Sequence, residues 1–283
     1  MFHTGTIVKR FRISPTVMML DIRVAPSLTT FSPGQWVDVL AKQADEDWVG
    51  GFSIASSPRD LPTITLAVKR SDHPPAAWVH DDVRSAVGVP VEVKVGGSCV
   101  LDDHLPLRPS VFCAGGIGIS PILSQYREFL FRRDAMTAAS TGRIEANCTT
   151  NTRTTPGTPS TMFLYSASSA KELVFGKELA ELSKEGCSKG HDRMVFSLTN
   201  GETIDDGNPQ NRSSETTLQE ESCPFPAHVE RRKGRILTDF LDEGPIDANY
   251  YICGPSSMID DAVSHLKDVR SIPSERIKYE KWW

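Results

Sequence analysis

The stretch VFCAGGIGISPILSQY, Val111 to Tyr126, runs an apolar segment into Gly115, Gly116 and Gly118 and then into a helical pattern. Glycines at such a place let the backbone turn tightly and let a ligand approach it. The first turn of a helix adds unpaired N–H groups and a partial positive charge. Gly115, Gly116, Ile117, Gly118 and Ser120 therefore suit a pyrophosphate, with Pro121 where a helix needs no N–H. The spacing G-G-x-G-x-x-P is not G-x-G-x-x-G, so a plain structural turn is the competing reading. A second break of this kind is YYICGPSSMIDDAV, Tyr250 to Val263. Ligands of open α/β sheets collect beyond the carboxyl ends of strands, which would set Cys253, Gly254 and Pro255 in the same crevice. Alone, C-G-P reads as a turn behind a small buried cysteine. The third stretch is WVGGFSIASSP, Trp48 to Pro58, where Phe52 can supply an aromatic face and Ser53 a hydroxyl. A core aromatic beside a turn serine is the bland alternative.

These residues need elements to hold them. The first hundred residues are strand-rich: TGTIVKRFRI, TVMMLDIRVA, QWVDVLA, TITLAVKR and VPVEVKVGG alternate apolar with polar residues or carry β-branched runs. Such strands, with AAWVHDDVRSAV as the one short helix, predict a small closed barrel or sandwich over residues 1–105. From residue 106 to 283 the order changes to strand–helix alternation: PSVFCAGG, TMFLYSAS, DRMVFSLTN, ANYYICGP and ERIKYEKWW as strands, with amphipathic stretches between them. That order calls for a mainly parallel sheet with helices on both faces. Two polar stretches, 134–160 and 200–230, cannot bury much apolar surface and read as mobile loops.

Composition narrows the function classes. The chain has 283 residues, 39% hydrophobic and 24% charged, and a net charge of -5, which argues against a general nucleic-acid binder. No run approaches the roughly 18 apolar residues of a membrane span. Cys99, Cys113, Cys148, Cys187, Cys223 and Cys253 stand at least 14 residues apart, and no H-E-x-x-H occurs, so neither a local zinc nor an iron–sulfur site is expected. A reducing compartment is the better reading than a disulfide framework. The N-terminus reads as a strand, without a secretion signal or an Arg- and Ser-rich presequence.

The glycine loop and the C-G-P turn, behind a β-rich first half, together resemble the ferredoxin reductase family. That resemblance covers nearly the whole chain apart from the two loops. It implies an N-terminal FAD-binding antiparallel β-barrel joined to a C-terminal NAD(P)-binding α/β parallel-sheet domain. YEKWW, GGFSIASSP and KVGG are most similar to the oxidoreductase NAD-binding domain-containing branch. By resemblance the G-G-x-G-x-x-P loop holds the dinucleotide pyrophosphate, C-G-P lies near the nicotinamide, and FLYSASSAKEL brings Ser166 and Ser168 beside the adenosine ribose. The family's flavin signature R-x-Y-S falls on Gly50, Gly51, Phe52 and Ser53, with Ile54, Val68 and Lys69 on the same implied wall. Gly50 departs from the pattern: it carries no cation for the flavin pyrophosphate, a contact worth about 1.5–3 kcal/mol, and Lys69 or Arg70 would have to compensate. Pro75-Ala76-Ala77-Trp78 also lacks the family's phosphate-binding hydroxyl. Trp282 and Trp283 fall where a terminal aromatic stacks near the flavin ring.

The implied activity is hydride transfer from NAD(P)H to FAD and on to an unknown acceptor, with Ser53, Cys253 and Trp283 in catalytic positions. Serines after the second strand of the α/β domain favour NADH, while the basic run Arg231, Arg232, Lys233 and Arg235 reads as solvated surface or as an approach to the cofactor. The expected location is mitochondrial by resemblance, with the cytoplasm as alternative. The competing function is an NAD(P)-binding sensor or assembly module that has lost tight flavin binding.

Overall fold

The computed structural model describes residues 1–41, 47–104, 106–146, 158–200 and 225–282. The first half forms β1 (His3–Arg12), β2 (Val17–Val24), β3 (Trp36–Ala41), β4 (Trp48–Ser53), β5 (Thr63–Lys69), the short helix α1 (Pro74–Val79) and β6 (Pro90–Gly96). All pairings are antiparallel, in the order β4-β3-β6-β1-β2-β5. A bridge between Ile54 and Leu66 brings the end of β4 onto β5 and closes the sheet towards a barrel. Alternation decides what fills it. In β3, Val37, Val39 and Ala41 are buried, while Trp36, Asp38 and Leu40 stand on the half-buried face.

The second half forms β7 (Ser110–Gly115), α2 (Ile119–Ala146), β8 (Thr161–Ala167), α3 (Gly176–Ser188), β9 (Asp192–Leu198), β10 (Val229–Lys233), α4 (Leu237–Asp242), β11 (Asn249–Pro255), α5 (Ser256–Ser264) and β12 (Ile277–Trp282). These strands are parallel, in the order β10-β9-β8-β7-β11-β12. Phe112, Ala114, Tyr251 and Cys253 pack against α2 and α3 on one face; Val111, Cys113, Tyr250 and Ile252 pack against α4 and α5 on the other. Burial on both faces explains why β7 reads as one apolar run. The expected barrel and parallel-sheet domain are both present.

Three local expectations need correction. The helix read over AAWVHDDVRSAV stops at Val79, because the Asp81 carboxylate accepts the N–H groups of Val83 and Arg84 at 2.9 Å and turns the chain. The 134–160 loop is too long: α2 continues through Ala146, since Ala and Met keep extending a helix already nucleated in its buried first turns. The 200–230 loop ends early, because Phe225 packs edge-on against Phe196 at 4.8 Å and β10 starts at Val229. Residues 147–157 and 201–224 of those loops lie outside the described residues.

Candidate functional site

β7 ends at Gly115, and a 3-10 turn over Gly116–Gly118 leads into α2. Beside it β11 ends at Cys253, Gly254 and Pro255. The two ends touch through backbone: a Cβ on Gly118 would lie 2.4 Å from the Cys253 carbonyl oxygen, and one on Gly254 would lie 3.1 Å from Gly115 Cα. Gly116 is different. Its φ is +54°, and nothing stands within 4 Å of where its Cβ would be, so its backbone faces open space. Some of these glycines serve close packing, and Gly116 leaves room for a ligand.

That room is a cavity of about 430 Å³ beyond the carboxyl ends of the strands, where the strand order reverses between β7 and β11. Gly115, Gly116, Ile117, Ser166, Ser168 and Pro255 line it, as the sequence reading placed them. Thr199 and Asp261 line it as well, residues that no motif marked. Of the basic run, Arg235 reaches this cavity. Arg231 donates to the Phe225 carbonyl, Arg232 pairs with Glu230 and Glu243, and Lys233 is exposed.

A second cavity, of about 750 Å³, lies between barrel and sheet and shares Lys69 and Ile117 with the first. Gly51, Phe52, Ser53 and Val68, which the resemblance set around a flavin, line it, and so does Ser120, which the sequence reading had set in the dinucleotide loop. Ser120 Oγ, on α2, is buried and has no hydrogen-bond partner. Trp36, Asp38 and Glu280 join this lining unforeseen. The signal for Trp36 was in the alternation of QWVDVLA, which sets Trp36 and Asp38 on one face; Gly96 and Gly97 make room for its ring, since a Cβ on either would come within 2.8 Å of the indole. Glu280 stands on β12 opposite Cys253. Burial pushes its carboxyl up to about 7, and its Oε2 is buried without a partner.

The remaining candidates fall elsewhere. Ile54 is fully buried in the barrel core, and Pro121 is buried in the first turn of α2. Cys253 is 1% exposed within the core beneath α2 and lines neither cavity. Gly118 and Gly254 serve the contact between strand ends. The Trp282 backbone pairs with Pro255, while its side chain and the whole of Trp283 lie outside the described residues.

The larger cavity fits a flat ring system: it has aromatic walls in Phe52 and Trp36, and two orphaned polar atoms, Ser120 Oγ and Glu280 Oε2, that a ligand would satisfy. The smaller one fits a dinucleotide lying over bare backbone at a helix start. A barrel, a parallel sheet with a reversal of strand order, and adjoining cavities between them define a ferredoxin reductase-like FAD/NAD-binding fold. A solved ferredoxin NADP+ reductase from Neisseria gonorrhoeae with bound FAD and NADP shares that fold, at a TM-score of 0.67 and 17% identity over 100% of this chain and 99% of that one. Oxidoreductase NAD-binding domain-containing protein 1 of Homo sapiens is 33% identical over 276 residues, which cover 95% of this chain and 76% of the relative. The Danio rerio protein of the same name is 34% identical over 278 residues, covering 95% and 88%. The chain belongs to the oxidoreductase NAD-binding domain-containing protein 1 family. No family-wide sequence model matches it.

Proposed function

We propose that this chain is a flavin-dependent oxidoreductase that takes reducing equivalents from NADH and delivers them to a separate acceptor. The observation that carries this reading is the junction of the two cavities, whose linings share Lys69 and Ile117. A bound FAD would supply two-electron acceptance from a nicotinamide and release to the acceptor. The chain's own residues would hold and orient. Phe52 and Trp36 give apolar walls that keep water off a ring, while the Ser53 and Ser120 hydroxyls offer hydrogen bonds to its polar edge. Glu280, held near neutrality by burial, can take or give a proton at Oε2. Gly116 lets a diphosphate lie against the start of α2. Ser166 near the end of β8 and Ser168 just past it suit an unphosphorylated ribose, which favours NADH; Arg235 and Lys69 are the cations of that lining.

The absorption spectrum of the purified protein, with and without added FAD, is the first test. A yellow protein, bleached faster by NADH than by NADPH in stopped flow, is the expected result, and equal rates would defeat the NADH preference. One observation favours a second reading, the dinucleotide-binding sensor or assembly module: β4 has no side chain at Gly50 to meet a phosphate, and Pro75 fills the space. A colourless protein that takes up no FAD, yet binds NADH, would overturn the first reading in favour of this one.

A further inference from the structure

A flavin dinucleotide brings a diphosphate to the barrel-side cavity, and a cation would hold it there. β4 does not supply one. A Cβ on Gly50 would lie 2.4 Å from Pro75 Cβ and 2.9 Å from Phe52 Cζ, so no long side chain can leave the strand there. The start of α1 supplies no cation either: Pro74 and Pro75 have no N–H, the Ala77 N–H already donates to the His73 carbonyl at 3.0 Å, and only the Ala76 N–H, a single neutral donor, remains beside the cavity. The end of β5 and the turn after it remain, where Lys69, Arg70, Ser71 and His73 line the cavity; Lys281, on β12 in the same lining, is paired with Asp260. Lys69 stands at the junction and belongs equally to the other cavity. Arg70 lines the barrel-side cavity alone. Its own N–H is anchored on the Thr16 carbonyl at 2.7 Å, and its guanidinium forms no hydrogen bond or ion pair with any described residue. The carboxylates of this cavity, Asp38 and Glu280, come from β3 and β12 and do not neutralise it.

We propose that Arg70 binds the diphosphate of the flavin, so that the grip comes from the turn after β5 and not from β4. A planar guanidinium with paired N–H donors matches two phosphate oxygens at once, and its backbone anchor fixes where the side chain starts. This rests on the flavin reading above, and the experiment separates the two. The full chain, freed of any flavin, is titrated with FAD and with riboflavin, which has the ring but no phosphate, following flavin fluorescence. Wild type is expected to prefer FAD over riboflavin by about ten- to a hundredfold. Arg70→Gln should lose that preference, with riboflavin affinity and melting temperature unchanged, and Arg70→Lys should recover part of it. An Arg70→Gln variant that keeps the preference, or one that loses riboflavin equally, would overturn the proposal; so would a loss of preference in Lys69→Gln alone. A wild type that binds neither compound removes the flavin reading itself, and this assignment with it.

Discussion

Glu280 is a carboxyl whose environment and place agree. It lines the barrel-side cavity, and desolvation by burial raises it from the ordinary 4.5 to about 7. Between those two values the folded chain keeps a proton that the unfolded chain has lost. Its stabilising contribution is therefore full below about pH 4.5 and is lost as pH rises through about 7. Glu280→Gln is expected to flatten the dependence of melting temperature on pH across that window, and to raise it at ~pH 8. A curve identical to wild type would show the carboxyl to be solvated. If the proposed reaction uses this proton, the same variant should also remove an inflection near neutrality from the rate of flavin reduction. Little of this was legible in YEKWW. A single Glu between Tyr and Lys looks like any surface carboxylate until β12 is laid beside β11.

At the scale of elements, α2 does most of the positioning. Its first turn carries Ser120 into the barrel-side cavity, and its next turns clamp the barrel. Ser124 Oγ donates to the Ser56 carbonyl at 2.7 Å, and Gln125 Nε2 donates to the Cys99 carbonyl at 2.8 Å. Arg59, from the barrel, meets the buried Glu128 carboxylate through two hydrogen bonds of 3.1 Å, and Arg132 adds a third at 3.0 Å. Glu128→Ala removes the acceptor of both Arg59 hydrogen bonds and one of those of Arg132, which keeps Asp103 and the Asp102 carbonyl, and should cost about 1–3 kcal/mol in urea unfolding. Glu185→Ala, which removes an exposed pair with Lys189 on α3, should cost far less. Equal costs would mean that the Glu128 contact is worth no more than an exposed surface pair. The start of α2 was legible because apolar spacing and Pro121 announce it. Its end was not, because Thr, Ser and Gly near residue 140 resemble a loop. β10 was missed for a related reason: VERRK has no apolar alternation, and its arginines are held by Glu230, Glu243 and the Phe225 carbonyl.

Across the whole molecule, the two sheets meet through a small set of polar ties around the cavities. Glu172 accepts from Thr16 Oγ1 at 2.6 Å and from Ser14 Oγ at 3.2 Å, and the Asp102 N–H donates to Tyr251 Oη at 3.1 Å. Because Lys69 and Ile117 belong to both linings, occupation of one cavity should alter affinity in the other. Titrating NADH into the FAD-loaded and the flavin-free chain is expected to give different dissociation constants, with the reciprocal shift when FAD is titrated with and without a dinucleotide. Identical constants in both directions would make the cavities independent.

The chain's periodicities determined its class. Period-two strands, then strand–helix alternation, then two glycine-bearing strand ends were enough to anticipate the barrel, the parallel sheet and a minority of the lining residues. Such patterns are local: burial of one face of a strand or helix leaves its mark on neighbouring residues. Only the tertiary structure decided that Pro75 closes the space beside Gly50, that Cys253 turns into the core, and that Arg70, Trp36 and Glu280 share one cavity. Those are contacts between residues far apart in the chain. No local pattern encodes them, because they exist only once the barrel and the sheet are packed against each other.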